Sequence, residues 1–134
     1  MGFSEVDQYF MRRAVGLAAR ARGRTSPNPM VGAIIVNSNR IVGEGYHKKA
    51  GTPHAEPQAL NQAGSHTHGA TMYVTLEPCC HWGKTPPCTD MIIQSGINKI
   101  FVAIEDPNPI VAGKGIKQIR QAGIEVEVGS GYIG

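Results

Sequence analysis

The stretch HAEPQALNQAGSHTHGATMYVTLEPCC, which runs from His54 to Cys80, indicates the fold. Its first part, His54 to Ala63, is predicted to be a helix, because Pro57 fits only in the first turn of a helix. Its second part, Ala70 to Leu76, is a short and largely apolar run that is typical of a strand. A helix followed by a buried strand is a building unit of α/β proteins.

The same alternation of helices and strands continues on both sides of this stretch. The elements predicted there are, in chain order, a helix at Glu5 to Arg22, a loop at Gly23 to Pro29, a hairpin formed by Val31 to Val36 and Arg40 to Tyr46, a helix at Thr89 to Ser95, a strand at Lys99 to Ile104, a helix at Lys114 to Ala122 and a strand at Ile124 to Val128. Short apolar strands of this kind bury both faces of their sheet. We therefore expect an α/β fold, a three-layer α/β/α sandwich around a central mixed sheet of about five strands.

The composition is that of one globular domain. The chain has 134 residues, of which 41% are hydrophobic and 17% charged, so we treat residues 1–134 as a single domain. No stretch approaches the roughly 20 apolar residues of a membrane span, and the N-terminus lacks the order of a signal peptide. The expected compartment is the cytoplasm. A net charge of +3 is mild, and the arginines near the first helix are interpreted as a solvated helix face.

The three cysteines predict metal chemistry. Cys79, Cys80 and Cys88 lie within ten residues, which favours metal binding over a disulfide framework. With His54, two of them supply an imidazole and two thiolates for a tetrahedral zinc, and three protein ligands leave the fourth position open for water. Either adjacent cysteine could pair with Cys88. Pro78 restrains the preceding residue to an extended conformation, which makes Cys79 the first thiol able to turn toward the helix ends.

The helix start at Pro57 is expected to bring the carboxylate of Glu56 close to the candidate zinc ligand His54. In mid-helix, His54 and Glu56 would point in nearly opposite directions, whereas at the helix entry the two side chains can converge. Glu56 beside a metal-activated water is placed to act as a general acid and base. An order of His-x-Glu, then Pro-Cys, then a second Cys is typical of zinc deaminases.

Several motifs together resemble one known family. They are TSPNPMVG (Thr25–Gly32), GYH (Gly45–His47) with Gly51, HAE (His54–Glu56), TLEPC (Thr75–Cys79), HWGKTPPC (His81–Cys88) and DPNP (Asp106–Pro109). The chain is similar over nearly its whole length to the deaminase domain of the bifunctional riboflavin-biosynthesis deaminase/reductase, a branch of the cytidine-deaminase-like superfamily. Most of that superfamily places its two cysteines two apart, whereas eight residues separate Cys79 from Cys88, which is the pattern of the riboflavin branch. Cys80 departs from the family, which usually has a small residue that is not a ligand there.

The resemblance implies a reaction and the residues that perform it. The substrate would be 2,5-diamino-6-ribosylamino-4(3H)-pyrimidinone 5′-phosphate, which would lose its 2-amino group as ammonia. One Zn²⁺ would be held by His54, Cys79 and Cys88, with Glu56 as the proton shuttle. The positions that match the substrate pocket are Asn28, His47, His81, Lys84, Asp106 and Asn108. Lys84 adds a cation beside the site that suits a substrate phosphate.

The remaining histidines, Trp82 and the possible partners add no second site to this interpretation. His66 and His68 lie in a Gly-rich segment and are expected to have no functional role, and Trp82 either lines the pocket or caps the core. A length of 134 residues leaves no room for a second domain beside the deaminase, so no reductase domain is expected within residues 1–134. No nucleic acid or membrane partner is expected, while a homo-oligomer and a separate or excised reductase domain stay open. The alternatives are another nucleoside, nucleobase or tRNA deaminase, and a zinc-stabilised nucleic-acid-binding module.

Overall fold

The fold was analysed in a computed structural model, which describes residues 3–20, 31–47, 54–80, 87–106 and 112–129. Its helices and strands are α1 (Glu5–Ala19), β1 (Gly32–Asn37), β2 (Arg40–Tyr46), α2 (Ala55–Ala63), β3 (Thr71–Leu76), α3 (Cys88–Gln94), β4 (Lys99–Ile104), α4 (Lys114–Gln121) and β5 (Glu125–Val128), with a 3₁₀ turn at Gly64–Thr67 after α2. The predicted order of helices and strands is confirmed. None of the described helices has both the length and the apolar character needed to cross a bilayer.

The strands form one mixed sheet in the order β2-β1-β3-β4-β5. β1 is antiparallel to both of its neighbours, whereas β3, β4 and β5 run parallel to one another. The three parallel strands therefore end at the same edge of the sheet. That edge is where ligands usually bind in open α/β sheets.

Helices cover the sheet on both faces, which confirms the predicted three layers. Within the described residues, α1 packs on one face and α2, α3 and α4 pack on the other. Alternate residues of β1 divide between the two faces, because Ile34 joins the core under α1 and Ile35 joins the core under the other helices. Both residues are fully buried, and consecutive strand residues are therefore apolar from Ala33 to Val36.

The predicted ends of the helices differ from the observed ends by a few residues. The first helix was predicted to reach Arg22, but α1 ends at Ala19, and Arg22 lies outside the described residues. The final turn tightens there, since the N–H of Arg20 donates to the carbonyl of Leu17 at 3.0 Å. Gly96 and Gly123 come directly after the predicted helices Thr89 to Ser95 and Lys114 to Ala122. Each glycine has a positive φ and follows the C-cap of its helix, which is the usual place of glycine at a helix end.

Two contacts fix helices against the two faces of the sheet. Gly45 in β2 lies so close to the start of α2 that a Cβ there would overlap the carbonyl oxygen of Ala55. On the other face, Tyr73 donates a hydrogen bond to the Asp7 carboxylate of α1 at 2.6 Å. Burial acts to raise the pKa of Asp7, but the hydrogen bonds from Tyr73 and Ser4 keep that pKa below its ordinary value.

Candidate active site

Three possible metal ligands converge from three different elements. His54 is the N-cap of α2, with an extended backbone and no capping hydrogen bond from its side chain. Cys79 lies three residues beyond the end of β3, and Cys88 is the first residue of α3, after Pro87. The imidazole therefore comes from a helix start, one thiol from a strand exit and the other thiol from a second helix start.

The distances within this cluster suit a tetrahedral zinc. Nδ1 of His54 lies 3.4 Å from Sγ of Cys88 and 3.9 Å from Sγ of Cys79, and all three ligand atoms lie within 4.8 Å of one another. Bond lengths of about 2.3 Å for Zn–S and about 2.0 Å for Zn–N place tetrahedral ligand atoms roughly 3.5 to 3.8 Å apart. Zinc is a good match for one imidazole and two thiols. The residues present therefore fit a zinc ion.

Hydrogen bonds polarise the two thiols in opposite directions. The hydrogen bond from the Cys88 thiol lowers the pKa of Cys79 to about 4, and burial only partly opposes it. The same interaction with Cys79 raises the pKa of the Cys88 thiol. The backbone N–H of Cys88 also points at Sγ of Cys79, at 3.4 Å. The two thiols are thus a hydrogen-bonded pair, and metal binding at such a pair releases protons because zinc is bound by thiolates.

Glu56 lies beside the cluster as a buried carboxyl group. It is the second residue of α2, is 4% exposed and interacts with the thiol of Cys88. Burial raises the pKa of Glu56 to about 7, and the nearby Cys79 charge acts in the same direction. A carboxyl group with a pKa near neutrality can both accept and donate a proton, which is what a general acid and base requires.

Two of the six predicted substrate-pocket residues fall in the described part of the chain. His47 follows β2, is 7% exposed, and its ring centroid lies 5.2 Å from that of His54. Asp106 follows β4 at the same edge of the sheet as Cys79 and is partly exposed. The other predicted pocket residues lie outside the described residues, as does Trp82; they are Asn28, His81, Lys84 and Asn108.

The remaining candidates are placed apart from the cluster. Among the described residues, the group of possible metal ligands contains Cys79 and does not contain the partly buried Cys80. His66 and His68 are exposed and precede β3, at the opposite end of that strand from Cys79. The segment that carries them was predicted to be a loop, and the structure shows a 3₁₀ turn there.

One buried side chain at this edge was missed by the sequence analysis. Glu77 is 5% exposed and its carboxylate accepts hydrogen bonds from the backbone N–H groups of Asp106, Gly113, Gly115 and Ile116. An acidic residue between an apolar strand and Pro78 was the available signal, because such a position is normally buried. Its four donors come from distant parts of the chain, so the sequence did not indicate a role for it.

The fold and the donor set together define a class of protein. One imidazole and two cysteine thiolates with a neighbouring glutamate form the site of the zinc-dependent deaminases. Residues 4–104 match the cytidine and deoxycytidylate deaminase zinc-binding region, and the chain belongs to this family.

Individual relatives place the chain in the riboflavin branch, as the motifs predicted. The riboflavin biosynthesis protein RibD of Aquifex aeolicus is 58% identical over 125 residues, which are 93% of this chain and 35% of that protein. The diaminohydroxyphosphoribosylamino-pyrimidine deaminase of Buchnera aphidicola is 54% identical over 92% of this chain and 84% of its own length. The solved structure of RibD from Acinetobacter baumannii matches with a TM-score of 0.91 and 54% identity, over 94% of this chain and 36% of that chain. The chain thus spans about a third of the length of the RibD relatives.

Proposed function

We propose that this chain hydrolyses 2,5-diamino-6-ribosylamino-4(3H)-pyrimidinone 5′-phosphate to 5-amino-6-ribosylaminouracil 5′-phosphate and ammonia, a step of riboflavin biosynthesis. The observation that carries the proposal is the cluster of His54, Cys79 and Cys88 beside buried Glu56. The choice of substrate is supported by the Buchnera aphidicola relative, which is named for this deaminase activity and is matched over most of its length.

In the proposed mechanism, one Zn²⁺ held by Nδ1 of His54 and the thiolates of Cys79 and Cys88 supplies Lewis-acid activation of water. Glu56 takes a proton from the attacking water and delivers it to the nitrogen that departs from C2. Its place beside the ligand cluster suits both steps, because a buried carboxyl group there can accept a proton from the water and donate it to the departing nitrogen. The net reaction adds the oxygen of water at C2 and releases ammonia.

The substrate is bound, in this proposal, by the six pocket residues that the resemblance identifies. His47 forms a buried wall next to His54, and Asp106 approaches from the end of β4. Asn28, His81 and Asn108 are assigned to the pocket by their motifs, and Lys84 is assigned to the 5′-phosphate. Lys84 lies in the sequence between the candidate ligands Cys79 and Cys88, and this position supports its assignment to a phosphate group bound near the metal.

The assignment of Lys84 predicts a strong preference for the phosphorylated substrate. A charge-assisted hydrogen bond contributes roughly 1.5 to 3 kcal/mol, so removal of the phosphate should lower kcat/KM by roughly 10- to 150-fold. The measurement is kcat/KM for ammonia release from the phosphorylated and the dephosphorylated diaminopyrimidinone. Cytidine and dCMP are assayed in parallel. Lys84→Ala should reduce the preference for the phosphorylated substrate. Lys99→Ala is the control and should leave this preference unchanged, because Lys99 is at the start of β4, whereas Asp106 follows the other end of that strand.

Two outcomes of this assay contradict the proposal. Equal kcat/KM for the phosphorylated and dephosphorylated substrates would exclude Lys84 as the phosphate ligand. Release of ammonia from cytidine or dCMP, without release from the diaminopyrimidinone, would move the chain to the nucleoside or nucleotide deaminases.

The proposal also includes the domain content of residues 1–134, which we assign to one deaminase domain without a reductase. A solved relative from Thermotoga maritima is named for both the deaminase and the reductase, and this chain covers 36% of it. The expected partner is a small phosphorylated pyrimidine, and the expected compartment is the cytoplasm. A homo-oligomer and a reductase on a separate chain are compatible with the proposal.

A further inference from the structure

The carboxylate of Glu77, which follows β3, is hydrogen-bonded to the segment after β4 and to the start of α4. Its Oε1 accepts hydrogen bonds from the N–H groups of Asp106 at 3.0 Å and Gly113 at 2.9 Å. Its Oε2 accepts from those of Gly115 at 2.9 Å and Ile116 at 3.1 Å. These four donors belong to the segment after β4, to the N-cap of α4 and to the first turn of α4.

Only a carboxylate satisfies this arrangement. Each carboxylate oxygen has two acceptor positions, which match the two N–H groups that each oxygen receives. Glutamine has the same shape, but its NH₂ group can only donate, so it would face two backbone N–H groups without an acceptor. Buried N–H groups without partners are strongly unfavourable, which makes the charged side chain specific for this position.

The same residue is fixed to the strand that leads to Cys79. The backbone N–H of Glu77 donates to the carbonyl of Ile104 at 2.9 Å, which extends the pairing of β3 with β4 beyond the regular strands. The start of α4 also packs directly on the next residue, since a Cβ at Gly115 would overlap the carbonyl oxygen of Pro78. Cys79 therefore follows two residues that α4 and β4 hold in place.

A second connection runs from α4 to Cys79 through α3. The hydroxyl of Thr89 donates to the side-chain oxygen of Gln118 on α4 at 2.8 Å. The backbone N–H of Thr89 donates to the carbonyl of Cys79 at 3.1 Å. Helix α4 thus contacts Pro78 directly and is linked to Cys79 through Thr89 of α3, although none of its residues belongs to the ligand cluster.

We propose that Glu77 is a positioning residue of the deaminase site, which sets Cys79 relative to Asp106. Its carboxylate clamps α4 and the Asp106 segment against Pro78, so the metal-binding thiol and the substrate-binding loop keep a fixed separation. The substrate half of this inference rests on the function proposed above. The metal half depends only on the ligand cluster and can be measured without turnover.

The test compares Glu77→Gln with Tyr73→Phe in the purified full chain. Tyr73→Phe likewise removes a hydrogen bond to a carboxylate, because the Tyr73 hydroxyl donates to Asp7. This contact lies on the other face of the sheet, under α1, so its loss should not affect the ligand cluster. Residues that orient metal ligands typically change metal affinity by about 10- to 100-fold when they are replaced. Competition with a chromophoric chelator should show such a loss of Zn²⁺ affinity in Glu77→Gln and wild-type affinity in Tyr73→Phe. The KM of Glu77→Gln should rise by a larger factor than its kcat falls.

Each result decides a separate part of the inference. Wild-type Zn²⁺ affinity in Glu77→Gln would overturn the inference. Weakened Zn²⁺ affinity with an unchanged KM would show that Glu77 positions Cys79 but does not position Asp106 for substrate binding. A wild-type chain that releases no ammonia would instead contradict the proposed function, while the zinc measurement would still test Glu77. If Glu77→Gln does not fold, Glu77→Asp serves as the milder variant, because it keeps the carboxylate but is one methylene too short to reach all four N–H groups. A smaller loss of Zn²⁺ affinity in Glu77→Asp supports the clamp, and unchanged affinity overturns it.

Discussion

Cys79→Ser and Cys88→Ser are each expected to lose zinc and activity together, whereas Cys80→Ser is expected to keep its zinc and most of its activity. The structure places Sγ of Cys79 and Cys88 at 3.9 and 3.4 Å from Nδ1 of His54, and Cys80 is not part of this cluster. A serine hydroxyl is a poor zinc ligand at neutral pH, because zinc is bound by the thiolate and a hydroxyl does not ionise readily.

Metal analysis and ammonia release on the three purified variants measure this effect. Cys80→Ser is the matched control, since it makes the same chemical change one residue away and should keep the zinc content and most of the activity of the wild type. Zinc loss in Cys80→Ser with zinc retention in Cys79→Ser would reverse the assignment of the ligands.

Glu56→Gln is expected to keep zinc and fold but to lose most of the activity. Glutamine has the same shape and no charge, so the buried position tolerates it, yet it cannot accept the proton of the attacking water. General acid/base groups typically contribute about 10² to 10⁴ in rate, and we expect kcat to fall within that range.

The measurement is kcat together with zinc content, and Glu44→Gln is the matched control. Glu44 is a partly exposed carboxylate that pairs with Arg13 at 3.5 Å, so its replacement should leave kcat unchanged. A Glu56→Gln protein that lacks zinc would show that Glu56 is a metal ligand rather than a proton shuttle.

The sequence predicted most of the fold, because the hydrophobic pattern of each element matches its place in the sheet. The strand Lys99–Ile104 was predicted with its observed ends, since apolar residues fill it and a turn precedes it. Helix ends were less accurate, as at Arg22, because the last turn depends on local hydrogen bonds rather than on the pattern. The order of the strands could be inferred only as a mixed sheet, since pairing brings together residues that are distant in sequence.

The candidate site was predicted in part, and the reason differs between residues. Pro57 marks a helix start, and for this reason the sequence could place His54 and Glu56 near one another. Cys88 could be joined to them only through the set of zinc ligands that it completes. The atom of His54 that faces the thiols is a matter of side-chain rotation, which no pattern encodes. The role of Glu77 was missed, because all four of its N–H donors lie 29 to 39 residues further along the chain.

The central claim, that a zinc ion at His54, Cys79 and Cys88 is required for deamination, is tested most directly by adding Zn²⁺ to the metal-free protein. Ammonia release from the phosphorylated diaminopyrimidinone is followed after each addition. The metal-free protein is expected to be inactive. Its activity is expected to rise in proportion to the added zinc until one ion is bound per chain, and then to stay constant. Full activity in the metal-free protein would contradict the claim.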